Sequence, residues 1–175
     1  GMEDSEAQRW WQQARGEGMD GELMGVSLHA LPTWKESWDQ CKLRDPDGLV
    51  MAEPPHNRRY GSNPYRGYDG SARPFLYNGE MPPFDIPPLA RVVRVKDRAW
   101  PLERLRREPE LTEGGVHITW QPGQASALDT DVIAQGRDVG SIRVRDAQGR
   151  DLPHDVMFAF AFHAFWPEGH WMLGF

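Results

Sequence analysis

A short unit that occurs twice constrains the fold more than any other feature of this 175-residue sequence. Leu31-Pro32 aligns with Leu152-Pro153 at an offset of 121 residues. Pro46-Asp47-Gly48 aligns with Pro167-Glu168-Gly169 at the same offset, and an aromatic stretch of helical character precedes each turn. Proline is tolerated in the first turn of a helix and ends a helix that runs into it, while an acid followed by glycine favours a turn. The sequence therefore predicts a duplicated helix-turn-strand unit, with chance as the alternative because only five aligned positions are identical. The two copies lie near residues 24–52 and 139–173.

The patterns along the chain predict an α+β fold, built mainly of short antiparallel strands with two or three short helices. Thr33 and Glu36 have the spacing of a capping box, so a helix is expected to begin there and to end near Pro46. A second helix is predicted at residues 100–107, where proline occupies the first turn. The apolar segment 155–165 indicates a buried helix, with a strand as the alternative for so aromatic a run. Strands are predicted at residues 24–31, 49–51, 90–95, 116–120 and 139–144.

Length and composition favour a single domain over residues 1–175. The net charge of −6 argues against nucleic acid as a partner, because phosphate backbones attract basic surfaces. No run reaches the roughly 18 apolar residues of a membrane span. Cys41 is the only cysteine and the histidines are scattered, so neither a metal site nor a cofactor is predicted. Localisation stays open: a complete chain would be cytoplasmic, and a fragment of a longer precursor would be exported.

Residues 53–89 differ from the rest of the chain because prolines, glycines and all four tyrosines are concentrated there. Neither strand nor helix periodicity is present. We expect a long ordered loop, since its aromatic side chains supply anchors that a disordered segment lacks. Loops of this length inside compact domains are often functional.

This loop holds the densest group of recognition-type side chains. Tyrosine and arginine are enriched at recognition surfaces, and aromatic, amide and acidic groups together also suit a polar small molecule. The alternative is that the same side chains only order a proline-rich loop. An unknown small molecule or a protein is the expected partner at these residues: His56, Arg58, Arg59, Tyr60, Asn63, Tyr65, Arg66, Tyr68 and Asp69.

No catalytic residue can be assigned from the sequence, which lacks a His-Glu-x-x-His motif, a nucleophile elbow and a phosphate-binding glycine loop. Asp69 with His56 is the acid–base pair to consider, although an acid before glycine is also typical of a turn. Ser126 has no assignable base. The basic residues between Arg91 and Arg107 alternate with apolar positions, so a solvated face is expected there.

Three stretches carry a family resemblance: residues 60–69 (YGSNPYRGYD), 74–80 (PFLYNGE) and 86–93 (IPPLARVV). They resemble a bacterial domain-of-unknown-function family, number 3179, and the likeness covers nearly the whole chain. The resemblance implies an internally duplicated architecture and no known activity. Many members carry a Cys-Pro-x-Cys pair where this chain has Gln121 and Gln124, so no thiol or metal role is carried over.

The function is therefore unknown from the sequence, and three hypotheses stay open. The favoured one is a non-catalytic binding or interaction domain that uses loop residues 56–69. The second is a small-molecule hydrolase or lyase with a loop acid and a histidine. The third is a degenerate structural member of the family, which the glutamines at the cysteine positions suggest.

Overall fold

The computed structural model describes residues 2–4, 9–56, 60 and 62–174, which form two compact units divided between Pro32 and Thr33. The single domain predicted over residues 1–175 stays a prediction. The first unit holds a three-stranded antiparallel sheet in the order β1-β2-β3 and a 3₁₀ turn at Gly21–Leu23. Its strands are β1 (Met2–Asp4), β2 (Arg9–Gln12) and β3 (Glu17–Gly18).

The strand predicted at residues 24–31 is wrong. In this segment the structure has a single bridge, between Ser27 and Glu17, and every side chain is exposed. The Gly18 N–H donates to the Val26 carbonyl and the Leu28 N–H to the Gly16 carbonyl, so the segment meets β3, but β3 has only two residues and the pairing is limited to this bridge. Residues 49–51 also form no strand, so that prediction is wrong as well.

In its described residues the second unit contains two sheets and three α-helices. One sheet has the order β10-β5-β4-β9, in which only β10 is parallel to its neighbour, and the other has the antiparallel order β6-β7-β8. These elements confirm the predicted α+β class. They are α1 (Trp38–Arg44), β4 (Arg91–Val95), β5 (Arg98–Pro101), α2 (Leu102–Arg107), β6 (Glu110–Glu113), β7 (Val116–Gln121), β8 (Ser141–Arg145), β9 (Asp155–Phe158), α3 (Ala159–Phe165) and β10 (His170–Trp171).

Strand β4 lies at the centre of the second unit because both of its faces are buried. Successive side chains of a strand point to opposite faces. Val92 packs with Phe162 of α3, whereas Val93 joins a cluster that includes Trp100 and residues of the second sheet. Trp100 is completely buried, and its indole N–H donates to Glu113 Oε2 over 2.8 Å. The sheet is thus covered by α3 on one face and by α2 with β6-β7-β8 on the other.

The N-cap of helix α1 lies four residues after Thr33, the N-cap that the sequence predicted. Ser37 is the N-cap, its Oγ accepts from the Gln40 N–H, and the Gln40 side chain accepts in return from the Ser37 N–H. Glu36 instead accepts hydrogen bonds from Arg44 and Trp34. The assignment of Thr33 and Glu36 as the capping box is therefore wrong, although the helix itself lies in the predicted segment.

The aromatic segment 155–165 contains both of the elements that its sequence suggested. Residues 155–158 pair with β4 as β9, and α3 begins directly afterwards at Ala159. Phe158 remains extended, with φ −80° and ψ 149°. Its position at the junction lets the chain turn from the sheet edge onto the sheet face.

Helices α1 and α3 have the same bounds when the chain is shifted by 121 residues, since 38 becomes 159 and 44 becomes 165. The residues that follow them, Asp45 and Trp166, have nearly the same backbone angles. The paths differ afterwards, because residues 170–171 join β5 as β10 while residues 49–51 are exposed. The duplicated unit itself stays a prediction.

The described part of segment 53–89 contains no strand and no α-helix. It has a 3₁₀ turn at Tyr68–Gly70 and a single bridge between Ser62 and Val132. Among the residues that the structure describes, none of the helices has the length and apolar character needed to cross a membrane.

Candidate functional site

A buried carboxylate, Asp69, organises the polar centre of the second unit. Its Oδ2 accepts hydrogen bonds from Ser126 Oγ over 2.6 Å and from Arg91 Nη1 over 2.8 Å. Arg91 Nη2 also donates to Ser126 Oγ over 2.9 Å, and Arg137 Nη2 lies 2.5 Å from Asp69 Oδ1. We call these four residues, Asp69, Arg91, Ser126 and Arg137, the Asp69 cluster.

The loop reaches this position through backbone contacts with residues 128–131. Asn63 is buried, and its side-chain amide donates to the Thr130 carbonyl over 3.1 Å. The Gly67 N–H donates to the Asp129 carbonyl over 2.7 Å, and Gly67 has a φ of 72°, a conformation that favours glycine. This turn starts the 3₁₀ segment that carries Asp69, so the loop backbone is fixed where its carboxylate meets the arginines.

The electrostatic balance of the cluster keeps Asp69 ionised. Burial raises the pKa of Asp69, because a charge is costly away from water. Hydrogen bonds from the Ser126 hydroxyl and from the two guanidinium groups lower the pKa by more, and it lies below its ordinary value of 3.8. Asp69 is therefore a fixed negative charge at neutral pH.

Arg91 and Ser126 also line a cavity of about 630 Å³, which we call the Arg91 cavity. Binding sites for small molecules have volumes of about 300–1,000 Å³, and their walls are mostly apolar side chains with a few polar groups. Apart from Arg91, the lining residues come from five parts of the second unit: Thr33–Lys35, Leu102, Gln124–Leu128, the residues Val139, Gly140 and Ile142, and His154–Phe158. A second cavity of about 310 Å³ is lined by Asp69, Arg91 and Arg137 among others.

His154 adds an imidazole ring to the lining of the Arg91 cavity. Its Nδ1 lies 2.9 Å from the Leu152 carbonyl oxygen. Because a carbonyl oxygen only accepts, Nδ1 carries a proton and donates it to this oxygen. Within the described residues, no group of three histidine, cysteine or acidic side chains is placed to hold a metal ion.

The sequence pattern of the family described as "Protein of unknown function (DUF3179)" matches residues 2–169. The chain belongs to this family. That description assigns no activity, so the function of the chain is unknown. No curated protein and no solved structure is similar enough to add a name, a ligand or an activity.

The loop residues singled out in this DUF3179 chain divide between buried support and exposed surface. Asp69 and Asn63 are buried, and Tyr68 is half-buried with its ring 5.8 Å from that of Phe158. The exposed group is His56, Tyr60, Tyr65 and Arg66, while Arg58 and Arg59 lie outside the described residues. Of the described set, only Asp69 lines either cavity. Ligand binding by these loop residues stays a prediction.

The acid–base pair of Asp69 with His56 gains no support in this DUF3179 chain. Both carboxylate oxygens of Asp69 already face arginine or serine donors, and no hydrogen bond joins Asp69 to His56 among the described residues. A general base must reach the proton that it abstracts. In the structure Asp69 is the charge partner of Arg91 and Arg137, and its acid–base pairing with His56 stays a prediction.

Sequence reasoning missed Arg91, Arg137 and His154 as site residues. The solvated face expected between Arg91 and Arg107 is wrong for Arg91, which is largely buried, and for the buried Arg104. Each of these two arginines pairs with a carboxylate, Arg104 with Glu113 over 2.7 Å. The usable signal was Asp69 itself, because an acid in an aromatic loop needs basic partners if it is buried.

Proposed function

We propose that the chain is a non-catalytic binding domain that takes a small molecule into the Arg91 cavity. One observation carries the proposal: the Arg91 guanidinium is fixed at the cavity wall by two hydrogen bonds, to Asp69 and to Ser126, and these two partners are hydrogen-bonded to each other. A side chain that is already held in place loses little conformational freedom when a ligand binds. A preorganised donor beside an apolar cavity is the usual composition of a small-molecule site.

Loop residues 56–69 have a supporting part in this proposal. Asp69 holds Arg91, and the Asn63 contacts hold the turn that carries Asp69. The exposed loop side chains are not needed for the cavity. A binding role without chemistry fits the cluster, because its one acid is committed to two guanidinium groups.

A cavity-filling substitution tests the proposal. Val156 lines the cavity and is 46% exposed, so Val156→Trp narrows the cavity without disturbing a buried position. Val132 is matched in type and exposure, at 49%, and lines neither cavity. Ligand-observed NMR identifies fragments that bind the wild type. We expect the same fragments to give a binding signal with Val132→Trp and none with Val156→Trp.

The library for this experiment contains a few hundred polar and amphipathic fragments at millimolar concentration. Thermal unfolding of both variants confirms that they are folded. The proposal is overturned if no fragment binds the wild type, or if Val156→Trp binds the same fragments as Val132→Trp.

A further inference from the structure

We propose that the ligand of the Arg91 cavity is an organic carboxylate with an apolar body, whose carboxylate pairs with Arg91. This inference rests on the proposed function and names the ligand class of that site. Three properties of the cavity carry it: unused donors on Arg91, an excess of positive charge, and apolar walls.

Arg91 has N–H groups that bond to no acceptor among the described residues. A guanidinium group carries five N–H groups. Asp69 uses one on Nη1 and Ser126 uses one on Nη2. Nε and the second hydrogens of both Nη atoms have no acceptor within the described residues. A carboxylate takes two parallel N–H bonds from such a group, an arrangement for which arginine is better suited than lysine.

The charge around the cavity is positive although the chain as a whole carries −6. Asp69 shares its single negative charge between Arg91 and Arg137, so this trio keeps one positive charge. Lys35 lines the cavity, is exposed, and has no carboxylate partner among the described residues. Asp155, the acid of the lining, is already paired with Arg94. An anion entering the cavity therefore meets attraction and no unpaired carboxylate.

The walls of the cavity match an apolar body and not a highly charged one. Side chains of Trp34, Ile142 and Phe158 contribute apolar surface, together with Leu102, Val139 and Met157. A phosphate dianion needs several donors and cations to offset its loss of hydration, whereas one partly neutralised guanidinium suffices for a monocarboxylate. The volume of about 630 Å³ accommodates an aromatic or branched aliphatic acid.

The test compares acids with their neutral amides by isothermal calorimetry and ligand-observed NMR on the full chain. The probes are phenylacetate, 3-phenylpropionate and 4-methylpentanoate, the amide of each, and phenyl phosphate. We expect at least one acid to bind the wild type about tenfold or more tightly than its amide, since charge-assisted bonds are the stronger ones. Higher salt should weaken binding of the acid and leave binding of the amide unchanged.

Two variants locate the carboxylate. Arg91→Lys keeps the charge and removes the paired donors, so the preference for acid over amide should fall to a few-fold. Lys35→Ala alters an exposed side chain, so it should fold normally and weaken the acid several-fold while sparing the amide. Arg150→Ala, at an exposed arginine outside the cavity, is the control and should bind like the wild type. If Arg91→Lys fails to fold, the inference is judged by Lys35→Ala and by the comparison of acid with amide on the wild type.

The outcomes separate the two proposals. Amides that bind as tightly as the acids, in a manner blocked by Val156→Trp, overturn the carboxylate inference and leave the binding function standing. Tighter binding of phenyl phosphate than of every acid also overturns the inference. An absence of binding by every probe and every fragment overturns both.

Discussion

A carboxylate with no exposure to water must be compensated by bonds to positive or donor groups, and in Asp69 the Oδ2 atom is compensated by hydrogen bonds and the Oδ1 atom by its ion pair with Arg137. Its side chain is completely buried, and two arginines and a serine surround it. Removing one partner of such a pair costs more than the pair contributes, because the remaining charges stay buried without compensation. Asp69 therefore contributes both to the stability of the loop turn and to the position of Arg91.

We predict that Asp69→Asn lowers the free energy of unfolding by about 2–4 kcal/mol at neutral pH, because both guanidinium groups lose their counter-charge. Urea denaturation followed by fluorescence measures the change. Asp131→Asn is the matched control: Asp131 pairs with Arg66 over 2.8 Å, but both side chains are about two-thirds exposed. Exposed pairs contribute about 0–1 kcal/mol, so this control should remain close to the wild type.

The difference in free energy of unfolding between the wild type and Asp69→Asn should also depend on pH, which gives a second test. A lowered pKa in the folded state means that the stabilisation is present above the unfolded pKa and is lost as pH falls through the folded pKa. The gap between wild type and Asp69→Asn should stay constant from pH 7 to about pH 5. It should narrow below the ordinary value of 3.8. A gap that does not change down to pH 2, or a variant as stable as the wild type at pH 7, contradicts this assignment.

At the scale of elements, α1 and α3 show how similar local structure can precede different tertiary contacts. The residues after α3 form β10, where the Met172 N–H donates to the Ala99 carbonyl and the Met172 carbonyl accepts from Arg104. The Met172 side chain packs against the larger hydrophobic cluster. Met51 occupies the aligned position after α1 and is 88% exposed.

We predict that Met172→Ala lowers the free energy of unfolding by about 1–3 kcal/mol, because it removes a side chain that is partly buried against the core. Met51→Ala changes the same side chain in an exposed segment and should stay within about 0.5 kcal/mol of the wild type. Chemical denaturation of the two variants makes the comparison. Equal losses at both positions would show that residues 49–51 are packed as β10 is.

The start of α1 shows which part of an element the sequence leaves undecided. The predicted pattern, Thr33 to Glu36, is directly followed by a second stretch with capping-box residues, Ser37 to Gln40, which the structure uses. The Gln40 side chain also donates to the Pro122 carbonyl and accepts from Ser141 Oγ, and these distant contacts favour the second pattern. The strand predicted at 24–31 failed for a related reason, since a local pattern does not say how many residues of a partner strand lie beside it, and here β3 supplies only two. By contrast α2 lies within the predicted segment 100–107, although residues 100 and 101 belong to β5 and Pro101 is the N-cap rather than a residue of the first turn.

At the scale of the whole molecule, the sequence could point to the candidate site but not assemble it. The loop and its acid were recognisable from composition alone. Arg91 is 22 residues from Asp69 along the chain and Ser126 is 57, so their contact depends on the packing of the 124–139 segment against the loop. The cavity could be predicted from the sequence even less than the cluster, because its lining residues come from separate stretches that meet only in the folded second unit.

The two compact units differ in how many of their described residues join a hydrophobic cluster. Both clusters draw every member from residues 86–172, and none of the first unit's described residues belongs to either. Burial of apolar surface is the dominant favourable contribution to folding. The stability of the chain should therefore reside in the second unit.

We predict that a chain beginning at Thr33 folds alone, with a cooperative unfolding transition and a free energy of unfolding within about 2 kcal/mol of the full chain, a small part of the total for a domain. Near-ultraviolet circular dichroism and urea denaturation test this. A chain ending at Phe158 is the control: it lacks α3 and β10, and with them Phe162 and Trp171, which pack together in the smaller cluster. That control should show no cooperative transition. If the chain from Thr33 unfolds without cooperativity as well, the first unit is needed for the fold despite its absence from both clusters.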